Sequence, residues 1–384
     1  MSHRKPRHAR GVSRRLCLAF ALVFGTSCAD ERIPIYIGVA GPMTSRMLAD
    51  HRHGAELAVD EANARGGING RPLAILRGDD SGRAVSAVTV AANFVQDQRV
   101  VAVAGHMSSG AMLAAAQLYD GRLAAVATMA TSPELTNVSP WVFRIASSDA
   151  ALAKDLARFA LSRKWLRIAV LYQNDAYGRA LSTAFTKAFE ASGGEVVTID
   201  ALESQQGRFM EFGVFIRTYF TRRPDAIVLV TDPLIGMRFL RETSASKLHI
   251  PIIGSDGWPV DPFAADPAAD GVYIPSSFLD DSRDTVASRF RVKFKARFGH
   301  EPDMFAATSY DAMLAIIAAI RSAGTDRTRV RDALASMQTA PVQGVTGPIS
   351  FSAGDRVQRI GGLVRIENGM GKTYLRWKDA LPAP

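Results

Sequence analysis

Short apolar segments alternate with amphipathic helical segments along most of this 384-residue chain. Four segments in the first third have the length and aliphatic content of buried strands: residues 33–40, 73–77, 100–104 and 123–128. After the first of them, Ala55, Ala58, Val59 and Ala62 form one stripe at helical spacing. Buried strands that each lead into a helix build parallel sheets with helices on both faces. The pattern therefore predicts an α/β fold with a doubly wound parallel sheet.

The same pattern restarts after residues 143–149 and changes near the end of the chain. A helical segment at 150–163 leads to an apolar strand at 167–172, and further strands and helices follow. The apolar run at 313–320 is far too short to span a membrane, so it predicts a buried helix. Residues 344–377 are instead typical of antiparallel strands joined by turns. We therefore expect a second α/β unit and a different, hairpin-rich end.

The loops within residues 100–136 give the first indication of function. Ser108 and Ser109 follow one predicted strand, and Thr131 follows the next. Open parallel sheets bind ligands beyond the carboxyl ends of their strands, and the free N–H groups at a helix start favour anions. Taken singly, these hydroxyl residues also suit helix caps and turns. Their common position favours a site that holds a small polar molecule, most simply by its carboxylate.

The amino-terminal segment predicts export. Residues 1–27 combine six Arg or Lys residues, no acid and a ten-residue apolar run at 16–25, as signal peptides do. Residues 24–28 resemble a bacterial lipoprotein cleavage box, which would make Cys28 the acylated first residue; ordinary cleavage after residue 29 is the alternative. Residues 13–18 also resemble a twin-arginine signal. Each alternative places the protein outside the cytoplasm, either periplasmic or anchored to the membrane.

Charge and cysteine content limit the partners and the chemistry. The net charge is +9, but it falls to +3 without the six basic residues of the leader, which gives no reason to expect nucleic acid. Cys17 and Cys28 are the only cysteines, so the mature chain has no internal disulfide and no cysteine nucleophile.

Signals of catalysis are sparse. The first strand is not followed by a dinucleotide-binding glycine motif, and the chain has neither a P-loop nor a nucleophile elbow. His51 and His53 form an H-x-H pair without a third ligand nearby in sequence, which favours surface or capping roles over a metal site. His106 adjoins Ser108, yet a serine hydrolase also needs an orienting acid and an oxyanion site. We therefore expect no enzyme, no metal and no cofactor.

Four segments carry a family resemblance: residues 62–70 (ANARGGING), 105–110 (GHMSSG), 130–136 (ATSPELT) and 174–178 (NDAYG). In this order they resemble the extracytoplasmic substrate-binding proteins of ABC importers, in the leucine/isoleucine/valine-binding branch. The resemblance runs from about residue 33 to the end. It implies a type I periplasmic-binding-protein fold, with two doubly wound lobes joined by a three-stranded hinge. The implied parts are the export signal at 1–28, one lobe at 31–147 plus 276–343, and the other at 148–275 plus 344–384.

The resemblance also implies a ligand site between the lobes. Residues in matching positions bind the carboxylate, the ammonium or the side chain of an amino acid: Ser108, Ser109, Met129 through its carbonyl, Thr131, Tyr177 and Asp256. Two departures leave the ligand's identity open. The loop after Met43 lacks the usual aromatic residue. Asp232 stands where an aromatic residue is common, which makes it a further candidate ligand-binding residue with a charge facing the pocket.

The implied function is that of a receptor that delivers an amino acid or related small carboxylate to an inner-membrane ABC permease. We expect the receptor to be a monomer. A sensor of the same fold that signals to another partner is the alternative, and a serine hydrolase is the third and weakest hypothesis.

Overall fold

The computed structural model describes residues 1–3, 33–203, 211–279 and 284–379, and from Ile33 onwards they build two open sheets flanked by helices. The predicted export signal and acylated Cys28, with Cys17, lie outside the described residues.

The first sheet consists of five parallel strands in the order β2-β1-β3-β4-β5. Its strands are β1 (Ile35–Gly41), β2 (Leu73–Asp79), β3 (Val100–Ala104), β4 (Ala124–Ala127) and β5 (Val142–Arg144). Its helices are α1 (Ala49–Ala64), α2 (Ala84–Gln96), α3 (Ser109–Tyr119), α9 (Thr285–Phe298), α10 (Met304–Ala323) and α11 (Arg327–Ala335). Alternate residues of β1 enter different cores, Ile37 and Val39 on one face and Ala40 on the other. Helices therefore cover both faces, as the alternating pattern predicts.

The second sheet has seven strands in the order β16-β15-β10-β9-β8-β6-β7. Its strands are β6 (Arg167–Gln173), β7 (Glu195–Leu202), β8 (Ala226–Val230), β9 (Ile252–Ile253), β10 (Tyr273–Ser276), β15 (Gly362–Glu367) and β16 (Met370–Arg376). Its helices are α4 (Asp149–Ser162), α5 (Ala176–Ala191), α6 (Gly213–Arg222), α7 (Pro233–Ala245) and α8 (Val260–Ala264). Only β15 runs against the other strands of this sheet, because it pairs antiparallel with both β10 and β16, and the β15–β16 hairpin confirms the predicted antiparallel end of the chain.

The chain crosses between the sheets three times, after β5, after β10 and after the hairpins β11–β12 and β13–β14. These hairpins comprise β11 (Val342–Gly344), β12 (Gly347–Ile349), β13 (Phe351–Ser352) and β14 (Asp355–Arg356). Three crossings join two doubly wound lobes, in agreement with the predicted multi-strand hinge.

The hairpins β11 to β14 pack with the first lobe. Val345, Ile349 and Phe351 lie in its core, and the buried carboxylate of Asp311 on α10 accepts a hydrogen bond from the Val345 N–H at 2.7 Å. This packing groups residues 342–356 with the first lobe. The sequence-based boundary instead assigned residue 344 onwards to the second lobe. The exact lobe boundaries stay a prediction.

Helix α10 is the central helix of the first lobe. It is long and apolar enough to cross a membrane, but 83% of its apolar window is buried inside the fold, which confirms the predicted buried helix. The helix begins at Met304 because the Asp303 carboxylate accepts hydrogen bonds from the N–H groups of Phe305 (2.8 Å) and Ala306 (3.0 Å).

The close packing of α1 on α10 depends on Gly54. A Cβ at this position would lie 2.1 Å from the backbone oxygen of Ala306. We therefore expect Gly54→Ala to destabilise the fold by about 1–3 kcal/mol, because the helices must move apart. Gly110→Ala on α3 is the matched control, since the nearest atom to a Cβ at position 110 is the Ala176 Cβ at 3.8 Å. Urea unfolding of both variants tests this, and equal stabilities would contradict it.

Candidate functional site

Polar loops from both lobes occupy the carboxyl ends of the strands. In the first lobe they follow β3 and β4, and in the second lobe they follow β6 and β9. Open α/β sheets bind ligands in this position. The loops bring together most of the residues that the sequence analysis singled out.

Ser108 and Ser109 hold the first-lobe loops in place. The Ser108 hydroxyl caps α3 by accepting from the Ala111 N–H (3.3 Å) and donates to the Gly82 carbonyl (3.0 Å). The buried Ser109 hydroxyl oxygen accepts from the N–H groups of Thr131 (3.2 Å) and Ser132 (3.1 Å). Ser109 therefore joins the loop after β3 to the loop after β4, and its own proton can still be donated.

Thr131 has a fixed backbone and an unengaged side chain. Its carbonyl accepts from the Arg144 guanidinium and from the Asp149 N–H, each at 2.9 Å. Within residues 33–203, 211–279 and 284–379, the buried Thr131 hydroxyl has no hydrogen-bond partner. The Met129 side chain packs in the first-lobe core. Thr131 is therefore held rigidly, and its hydroxyl lies near the Asp149 carboxylate while remaining available to a ligand.

Tyr177 and Asp256 meet in the second lobe. Tyr177 lies in the first turn of α5, where the Asp175 carboxylate caps the helix by accepting from the Gly178 N–H at 2.7 Å. The Tyr177 hydroxyl donates to the Asp256 carboxylate and lies 2.6 Å from the Ser255 hydroxyl oxygen. Asp256 is only 7% exposed. Burial raises the pKa of Asp256 from 3.8 to about 6, although the Tyr177 hydrogen bond opposes the shift.

Asp149 is a further candidate site residue, which the sequence alone did not indicate. It is fully buried at the start of α4, and neither carboxylate oxygen has a hydrogen-bond partner among the described residues. Burial, and next the charge of Asp256, raise its pKa well above the ordinary value, while the nearby Thr131 hydroxyl and Arg144 oppose this. In sequence, Ser147-Ser148-Asp149 indicates only a helix start. The unusual feature is that two acids far apart in sequence share one buried place.

Asp232 has a different position from the other predicted site residues. It is exposed, and its carboxylate caps α7 by accepting from the Ile235 N–H at 2.9 Å. Its backbone N–H donates to the Gln173 side-chain oxygen at 2.9 Å. A ligand contact by Asp232 stays a prediction.

The geometry around His106 does not form a serine-hydrolase triad. His106 is buried, with Nδ1 2.5 Å from an Asp80 carboxylate oxygen and Nε2 2.8 Å from the Tyr119 hydroxyl. Both ring nitrogens are engaged, and neither contact is with Ser108, whose hydroxyl serves the backbone. A general base must reach the nucleophile's proton, so this arrangement does not support acyl transfer.

The family was established by comparison with known proteins. Residues 34–369 match the family model described as periplasmic binding protein. The chain belongs to this family. This chain is 28% identical over 348 residues to the Leu/Ile/Val-binding protein homolog 1 of Brucella abortus. The match covers 88% of this chain and 90% of the Brucella protein.

Solved structures show the same fold. An ABC transporter substrate-binding protein from Desulfitobacterium hafniense, in complex with Leu, superposes with a TM-score of 0.78 at 26% identity, covering 89% of this chain and all of that one. A solute-binding protein from R. palustris in complex with benzoate gives a TM-score of 0.81 at 21% identity, covering 89% of this chain and 96% of that one. The predicted type I periplasmic-binding-protein fold is thereby confirmed.

Family and fold together confirm the predicted class of function. The periplasmic binding protein is an extracytoplasmic substrate-binding protein of an ABC transporter and not an enzyme. Its partners are a small-molecule ligand and a transporter permease.

Proposed function

We propose that the periplasmic binding protein binds an amino acid, or a similar small zwitterion, between its lobes and delivers it to its permease. The observation that supports this proposal best is the buried pair of acids, Asp149 and Asp256, beside the free hydroxyl of Thr131. The charge of Asp256 acts on the buried Asp149, so a cation that binds near both carboxylates is favoured. An ammonium group has the required charge and three donors.

The first lobe supplies groups for the opposite end of the ligand. Ser109 and Thr131 each present a hydroxyl that can donate to a carboxylate, at the start of α3 and directly beside it. A ligand with both charges would therefore contact both lobes, ammonium towards Asp256 and carboxylate towards Ser109 and Thr131. The Ser108 hydroxyl holds the first-lobe loops and the Tyr177 hydroxyl holds Asp256. The predicted contacts of the Met129 carbonyl with the ammonium and of Tyr177 with the ligand belong to this proposal. The relative solved with Leu carries a ligand of this class.

A matched set of ligands tests this proposal. A thermal-shift screen of the amino acids should find at least one that raises the melting temperature by several degrees, since a ligand at about 100 times its Kd stabilises by about 2.7 kcal/mol. The same compound without its ammonium, and the same compound without its carboxylate, should both be much weaker. A simple carboxylic acid that binds as well as its amino acid counterpart would contradict the proposal. Anchoring through Cys28 and a monomeric state stay predictions.

A further inference from the structure

A second cluster of ligand-type side chains shares no residue with the proposed amino-acid site. Asp50 and His53 face the same side of the first turns of α1, and His300 follows the end of α9. One potential ligand atom from each residue lies within 4.8 Å of the others. The Asp50 Oδ1 atom is 3.1 Å from His53 Nδ1 and 3.6 Å from His300 Nε2. The fold therefore supplies a third possible metal ligand, His300, that the sequence around His53 lacks.

The imidazole of His300 is oriented as in a metal ligand. Its Nδ1 lies 3.0 Å from its neighbour's backbone oxygen, Glu301 O, so that the Nδ1–H donates there. The remaining lone pair on Nε2 then faces a carboxylate oxygen at 3.6 Å, too far for a hydrogen bond. Two acceptors that face each other in this way are suited to share one cation. Metal-binding histidines commonly donate their other ring N–H to a backbone carbonyl.

Aromatic side chains hold both imidazoles in place. The His53 ring stacks on Phe298 with centroids 4.3 Å apart, and the His300 ring contacts Phe294 edge-on at 5.5 Å. The Asp303 backbone N–H donates to the other Asp50 carboxylate oxygen, Oδ2, at 3.3 Å, which leaves Oδ1 to face the two imidazoles. Because these side chains are already held in place, little conformational freedom is lost when a metal binds.

We propose that Asp50, His53 and His300 form a site for a divalent transition-metal ion of the zinc class, with further positions taken by water. Two imidazoles and one carboxylate are typical zinc ligands, at about 2.0–2.2 Å from the metal. Ligand atoms at such distances lie about 3.3 Å apart in a tetrahedral complex, close to the two separations to Asp50. His300 is half-exposed, so that the metal can enter from solvent.

Metal binding at His53 has one cost, the loss of a hydrogen bond at its imidazole. His53 Nε2 lies 3.3 Å from the Arg52 guanidinium, so the His53 proton is on Nδ1 and points to Asp50. A metal on Nδ1 requires the other tautomer of the neutral imidazole, so the proton moves to Nε2 by exchange with solvent. The Arg52 side chain loses only this long contact and keeps its 2.8 Å hydrogen bond to the Met43 carbonyl.

Zinc titration of the untagged, chelator-treated protein tests the site. Calorimetry should detect one zinc ion per chain, and zinc should raise the melting temperature. His53→Gln and His300→Gln should each weaken binding at least tenfold, since even the loss of an outer partner of a metal ligand costs about 10- to 100-fold in affinity. Cobalt should give a visible d–d band in the parent that both variants lose.

His249→Gln is the matched control, because His249 is exposed on the second lobe and outside the cluster. It should bind zinc as the parent does. Since His300 is half-exposed, His300→Gln should fold normally, which circular dichroism will confirm. The proposal is overturned if the parent binds no zinc, or if both cluster variants bind it as tightly as the parent. The cluster shares no residue with the amino-acid site, so the absence of zinc binding would leave the proposed function standing, and a failed amino-acid screen would leave the zinc site standing.

Discussion

Asp256→Asn should weaken the binding of the best amino acid by about 10- to 150-fold. Asp256 is buried beside Asp149, and the substitution keeps its shape while it removes the charge that faces an ammonium group. A hydrogen bond to a charged group contributes about 1.5–3 kcal/mol, and about 1.4 kcal/mol corresponds to one decade in Kd. Isothermal titration calorimetry measures this change. Asp332→Asn, at an exposed acid paired with Arg331, should bind as the parent does.

The pH dependence of binding gives an independent check. Because the Asp256 pKa is about 6 in the absence of ligand, an ammonium group must bind the ionised form, and affinity should fall as the pH drops below 6. One unit below that pKa, about a tenth of the groups are ionised, so that Kd should rise about tenfold. Asp256→Asn should flatten this dependence. An unchanged Kd in the variant, with the same pH profile, would contradict the assignment of Asp256 to the ammonium.

The stability of the ligand-free protein should depend on pH in the opposite direction to ligand binding. The folded-state pKa of Asp256 lies above the unfolded value of 3.8, so the folded protein holds the proton more tightly than the unfolded chain. Its contribution to stability is therefore present at low pH and is lost as the pH rises from about 4 to 6. At neutral pH, Asp256→Asn should leave the melting temperature equal or raise it. A lower melting temperature would indicate that Asp256 is a structural residue.

Arg144→Met should be the most destabilising of the substitutions considered, by about 3–5 kcal/mol. The Arg144 guanidinium is buried, and it donates to the carbonyls of Thr131 (2.9 Å) and Ser132 (2.7 Å) and to the Thr136 hydroxyl (2.7 Å). It also pairs with Asp355 on the β13–β14 hairpin at 2.7 Å. Methionine fills a similar volume but leaves these groups without their donor. Urea unfolding measures the loss of stability.

The same substitution should also weaken ligand binding, because Arg144 holds the loop that carries Thr131. Arg99→Met is the matched control, since Arg99 pairs with Asp97 at the surface with 60% of its side chain exposed. Surface ion pairs contribute about 0–1 kcal/mol, and Arg99→Met should change little. If the two variants unfold at the same urea concentration, Arg144 does not organise the loop.

Local patterns predicted much of the fold and part of the site. The strand–helix alternation specifies parallel sheets because buried strands and amphipathic helices each have a distinct periodicity. The positions of Thr131 and Asp256 were predictable, since loops at the carboxyl ends of strands are short and near their strands, whereas their contact with a ligand stays a prediction. Asp149 and Arg144 were not, because their sequence context indicates only a helix start and a strand end. Their importance arises from burial and from partners in other elements.

His300 is the clearest example of a residue whose proposed role cannot be predicted from its local sequence. In sequence it is a solitary histidine after a helix-ending glycine, and His53 appears paired only with His51. In the fold His51 is instead buried next to Gly41, and burial lowers its pKa to about 4. The periodicity of α1 places His53 beside Asp50, but only the packing of α9 against α1 brings His300 to them.

The three crossings between the lobes determine when this chain can fold. Residues as far apart as Ile35 and Phe351 share the core of the first lobe, and the second sheet is completed only by β16. A growing polypeptide on the ribosome therefore cannot finish either lobe until almost all of it has been synthesised. A chain that is kept unfolded until late remains able to pass through a narrow translocation channel. A single proteolytic cut, for the same reason, cannot release either lobe intact.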